Sequence, residues 1–97
     1  MSVTVRFHPA AEEELVAAAA WYESQQPNLG ARFLLEVEDA VSRVQVQPLL
    51  YQALDGDVRR APIRVFPYAL IFRVQRAQCV VLAVMHLHRE PGYWRER

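Results

Sequence analysis

The chain has 97 residues, 53% hydrophobic and 23% charged, a balance that excludes disorder and fits one globular domain, residues 1–97, with a modest core. Its eleven cations, all arginine, offset eleven acids, so the net charge is zero and a uniformly basic nucleic-acid binder is excluded. A single cysteine, Cys79, excludes a disulfide framework, and no basic-then-apolar start or transmembrane-length apolar run is present, so a soluble cytoplasmic protein without a membrane role is expected.

Val3 to Phe7 alternates apolar and polar residues and predicts a short strand. Pro9 suits the first turn of a helix, and Glu12, Glu13 and Glu14 favour the positive end of its dipole. Ala11, Leu15, Ala18, Ala19 and Tyr22 recur at helical spacing and predict its apolar face. Ser24 to Asn28 breaks this helix, and Asn28 is positioned to cap a second one whose face is Phe33, Val37, Ala40, Val41 and Val44. Pro48 ends it, and the short link predicts an antiparallel helical hairpin.

Leu49 to Asp57 reads as a connection with a turn at Asp55-Gly56-Asp57. Val58 to Phe66 alternates, with Ala61, Ile63 and Val65 on one face and Arg60 and Arg64 on the other. Pro62 between them points to an edge strand or a bulge. Tyr68 to Val74 is a further strand, and Cys79 to Leu87, almost wholly apolar, predicts a buried central one in which Cys79 is an inert core residue. The order strand, two helices, three strands predicts an α+β fold: a helical hairpin on a mostly antiparallel four-stranded sheet.

Charge is unevenly spread. Residues 1–48 hold three arginines and seven acids, and residues 49–97 hold eight arginines and four acids, which points the second half toward an anionic partner. The densest chemistry lies at the end of the last strand, in the run Val84-Met85-His86-Leu87-His88-Arg89-Glu90-Pro91-Gly92-Tyr93-Trp94-Arg95. Metal-free RNA cleavage needs a deprotonated 2′-hydroxyl, a neutralised phosphorane and a protonated leaving oxygen. His86, His88 and Arg89, with Arg60, Arg64 and Arg73, are the side chains able to supply these, and histidine is the best single candidate because it titrates near neutrality. No metal or cofactor is expected, because Cys79 reads as buried and His8 is remote in sequence. Tyr93 and Trp94 read either as a lid closing the apolar core under the helices or as an exposed aromatic surface, with arginine, that contacts a partner.

Over essentially its whole length the chain resembles the RelE/ParE family of toxins from bacterial type II toxin–antitoxin systems. The resemblance rests on Phe7-His8-Pro9-x-Ala11, Trp21-Tyr22, Leu29-Gly30-x-x-Phe33 and Pro48. It continues through Arg64-x-Phe66-Pro67-Tyr68-x-Leu70-Ile71-Phe72 and Ala83-Val84-x-His86-x-His88-Arg89-x-Pro91-x-Tyr93-Trp94-x-x-Arg97. It implies a four-stranded sheet with a helical hairpin, a cognate antitoxin, and growth arrest when the antitoxin is lost. RelE-like members cut mRNA at the ribosome without metal, using basic side chains on the sheet; ParE-like members poison DNA gyrase. The RelE-like pattern has a basic residue directly after the third-strand tyrosine, where this chain has Ala69, and a basic pair two apart, where Arg60 is followed by Pro62. The ParE-like branch is therefore the expected one, with DNA gyrase as target and Arg60, Arg64, Arg73, Arg89, Tyr93, Trp94 and Arg95 as target-binding residues. The alternative is an mRNA endoribonuclease acting at the ribosome through His86, His88 and Arg89.

Overall fold

A computed structural model describes residues 3–97. The elements are β1 (Thr4–Phe7), α1 (Pro9–Gln25), α2 (Leu29–Val46), a 3₁₀ turn (Pro48–Leu50), β2 (Gln52–Asp55), β3 (Val58–Pro62), β4 (Tyr68–Val74) and β5 (Gln78–His86). The sheet has five strands in the order β1-β5-β4-β3-β2. β1 runs parallel to β5 at the edge opposite β2, the two helices carrying the chain from one edge of the sheet to the other, and every other pair is antiparallel. The expected α+β fold is the observed one, with one strand more than the sequence reading held. The extra strand, β2, lies inside the segment read as a connection. All four of its residues are exposed, so it has no buried face to leave an apolar alternation.

Pro9 occupies the first turn of α1, and the His8 ring caps the helix by accepting from the Ala10 N–H at 3.0 Å. Asn28 sits at the N-cap of α2 but makes no capping bond with its side chain; its contribution is a left-handed backbone, φ 73°. The cap comes instead from α1: the Glu23 carboxylate accepts from the N–H groups of Asn28 at 2.9 Å and Gly30 at 3.0 Å. The two helices meet closely there. A Cβ on Gly30 would lie 2.5 Å from the Ala19 carbonyl oxygen. Gly30→Ala is therefore expected to cost about 2 kcal/mol by overpacking, read as a lower denaturation midpoint at an unchanged slope.

Packing explains the strand sequences. The helical layer covers one sheet face, where Phe33, Val37, Ala40 and Val44 meet Ala61, Leu70, Phe72 and Val81. On the opposite face Val58, Ile71, Val80, Leu82, Ala83 and Met85 form a second cluster roofed by Trp94. β5 is thus apolar on both sides. Its alternation slips once. Ile71 faces Ala83 but Phe72 faces Val81, so Leu82 is an extra residue and the parity of β5 inverts beyond it. Pro62, expected at an edge or bulge, ends an interior strand: it faces Ala69 of β4, while β2 pairs only with residues 58–60. Val65 does not share a face with Ala61 and Ile63, because the strand stops at Pro62 and Val65 projects into solvent. Among the described residues no helix is long and apolar enough to cross a membrane.

Candidate functional site at the end of the central strand

β1 accompanies β5 only as far as Val81. Past that point the edge of β5 is open, and two side chains close it. Glu14 Oε1 of α1 accepts from the Val84 N–H at 3.0 Å, and Arg97 Nη1 donates to the Leu82 carbonyl at 3.0 Å. The same two groups pair with each other at 3.0 Å, both side chains about a fifth exposed. A carboxylate and a guanidinium so complete the backbone ladder where the sheet runs out.

Beside this pair a cleft of about 250 Å³ separates α1 from the end of β5. It is lined by the small apolar residues Ala17, Ala18 and Val84, by the rings of Trp21, Tyr68, His86 and Tyr93, and by the charged Glu14 and Arg89. Tyr68 belongs to an aromatic cluster with Tyr22 and Phe33, and its phenol is pushed upward by burial. His86 packs edge-on against Tyr68 with ring centres 5.0 Å apart, and its Nδ1 accepts from the His88 N–H at 3.0 Å. The His88 ring, in the exposed turn, lies 5.2 Å from that of His86. Arg89 stacks over Tyr93, its guanidinium carbon 3.9 Å from the ring centre, and Arg97 approaches the same ring at 5.0 Å.

Tyr93 carries the largest titration shift of the site. Burial, aided by the negative charge of Glu14 and opposed by Arg89 and Arg97, raises its phenol to about 12. The folded protein thus holds Tyr93 neutral where the unfolded chain would ionise it. The stability this confers is complete below pH 10 and is lost as pH rises toward 12. Tyr93→Phe is expected to flatten that alkaline loss, measured as denaturation midpoints across the interval.

The expected site residues do not all gather here. His86, Arg89 and Tyr93 converge on the cleft, and His88 stands outside it in the exposed turn. Arg60 stands opposite Ile71 on the sheet face away from the helices. Arg73 shares that face, with Asp57 at 3.7 Å and the Arg97 carbonyl at 3.4 Å. Arg64 lies in the turn after β3, with Asp39 of α2 at 3.8 Å. Arg60 and Arg64 therefore do not share a sheet face as expected, because the strand ends between them. Arg95 pairs with Asp55 of β2 across the second face. Trp94 is 3% exposed. It is neither an exposed partner surface nor a lid under the helices; it seals the face that the helices leave bare, and turns at Gly92–Arg95 and Trp94–Arg97 hold it there.

The bulge at Leu82 separates His86 from Arg60 and Arg73. Strict alternation from Cys79, which faces the helices, would set His86 on the same face as Arg60 and Arg73; the extra residue turns it to the helix side. Sequence reading missed Glu14 and Trp21 as parts of the cleft. Their spacing of seven on one helix is the signal that pairs them. Among the described residues no group of three or more His, Cys, Asp or Glu is arranged to hold a metal ion.

Residues 5–91 match the family model described as the ParE toxin of the type II toxin–antitoxin system parDE. No curated protein is significantly similar in sequence. Solved structures with the same fold include a chain of the chromosomal ParDE toxin–antitoxin system from P. aeruginosa. It is 15% identical, with a TM-score of 0.78 over 90% of this chain and 98% of that one.

Proposed function

From the chain's membership of the ParE toxin family of type II toxin–antitoxin systems, we propose that it arrests growth by inhibiting DNA gyrase and that a cognate antitoxin neutralises it. The observation that carries the target is the division of its basic groups. A metal-free ribonuclease needs a general base, a general acid and cations around one phosphate. Here Arg60 and Arg73 lie on one sheet face beside the buried Trp94, while His86 lies at the other against Tyr68, and the cations near it are already engaged, Arg89 by the Tyr93 ring and Arg97 by Glu14. Such a division suits a protein that binds its target rather than cutting RNA.

Antitoxin binding is supported by the apolar surface left on the helical layer. Val16 and Trp21 of α1 and Leu35 of α2 are each more than half exposed. Surface of that kind on a small protein marks a place for a partner. The exposed Arg64, Arg76 and Arg89 supply complementary charge for an acidic segment.

His88→Ala tests this reading in cells, because the side chain is exposed and its removal leaves the fold intact. Expression of the variant is expected to arrest growth as the wild type does, with cellular mRNA uncut. Loss of arrest, together with mRNA cleavage by the wild type alone, would overturn the gyrase reading in favour of the nuclease.

A further inference from the structure

The turn between β3 and β4 is held in a strained conformation. Val65 has a φ of 74°, in the left-handed region that a β-branched residue rarely enters. Its side chain is 71% exposed, so no burial compensates the strain. The residues around it are fixed. Ile63 and Phe66 are buried, and the Phe66 ring lies 4.7 Å from Tyr22 and 5.1 Å from Phe33. The Ile63 N–H donates to the Tyr68 carbonyl at 2.9 Å, and the Tyr68 N–H donates to the Phe66 carbonyl at 2.8 Å. With Phe66 and Ile63 held inward, Arg64 and Val65 are forced outward.

The turn is also tied to the end of β5. The Leu87 N–H donates to the Pro67 carbonyl at 2.9 Å, and the Leu87 side chain is 42% exposed. The Arg64 side chain, 67% exposed, is only loosely engaged by Asp39. One end of the sheet therefore carries two apolar side chains, Val65 and Leu87, with Arg64, His88 and Arg89 from the same two turns.

We propose that the β3–β4 turn, with Val65 at its tip and Leu87 tied to its base, is the element this toxin inserts into an apolar, acid-rimmed pocket on its protein target. The inference rests on the reading above that the toxin acts by binding a protein, gyrase first. Three physical features support it. Backbone strain persists where the surrounding structure enforces it, and it clusters at contact sites. A clamped tip surrenders little conformational entropy on docking. An apolar tip among arginines complements a pocket with carboxylates at its rim.

The test uses the full chain and two variants, Val65→Gly and Val65→Asp. Glycine accepts a φ of 74° without strain, so Val65→Gly is expected to melt no lower than the wild type. Both variants are expected to need at least tenfold more protein for half-inhibition of gyrase supercoiling. Inhibition by Val65→Gly equal to the wild type overturns the proposal. If the wild type leaves gyrase untouched, the gyrase reading falls and growth arrest on expression decides the tip. Arrest lost in Val65→Gly upholds the tip against a different target, and arrest retained overturns it. A wild type that neither inhibits gyrase nor arrests growth overturns both.

Discussion

Trp94→Ala is expected to destabilise the protein by about 3–5 kcal/mol, lowering its melting temperature by more than about 10 °C. The indole is 3% exposed and closes a cluster with Ile71, Leu82, Ala83 and Met85, so truncation leaves a large cavity on the face that the helices do not cover. The loss extends past the ring. Arg95 holds Asp55, and Arg73 donates to the Arg97 carbonyl, so releasing Trp94 frees the segment that closes the open edge of β5. Trp94→Phe keeps an aromatic ring and removes an indole N–H that has no acceptor among the described residues; it is expected to cost well under half as much. The pair of variants also bears on function. A ParE toxin whose Trp94→Ala form loses activity in proportion to its folded fraction uses this residue as core. Loss of activity in fully folded protein would contradict its placement.

Glu14→Ala is expected to cost about 3 kcal/mol, and Arg97→Ala about as much, measured by denaturant unfolding at neutral pH. Each side chain meets a backbone group and its charged partner at once. Either truncation leaves the other charge unpaired in a largely enclosed site and strips one backbone group of its bond. The double variant is therefore expected to cost less than the sum of the singles, with a coupling of about 1–2 kcal/mol. Additive losses would mean that the two side chains act separately. Glu14→Gln retains an acceptor for the Val84 N–H and is expected to fall between the wild type and Glu14→Ala.

The Trp94 ring and the Glu14–Arg97 pair are features that the sequence carries unevenly. The helices were legible because Phe33, Val37, Ala40 and Val44 recur at helical spacing and face one core. β4 and β5 were legible as apolar runs bounded by polar turns. β2 was not, since Gln52 to Asp55 bury nothing, although the Asp55-Gly56 turn beside it was readable and Gly56 has the positive φ, 57°, that such a turn needs. The cap on α2 was placed at the right position but credited to the wrong side chain, because Glu23 reaches it from the preceding helix.

The site was half legible. His86, Arg89 and Tyr93 lie close in sequence and come together. The face each occupies depends on a single extra residue at Leu82, and a bulge inside an unbroken apolar run leaves no trace in composition. Trp94 was ambiguous for a related reason. Seven residues from Pro91 to Arg97 form turns with neither helical nor strand periodicity, so nothing in them says which side of the sheet the ring will cover.

Whether the protein acts on DNA gyrase is decided by titrating the purified chain into a supercoiling reaction. Dose-dependent inhibition or trapped cleaved DNA is expected, retained by His88→Ala and reversed by the antitoxin. Undiminished supercoiling in the presence of folded protein would contradict it.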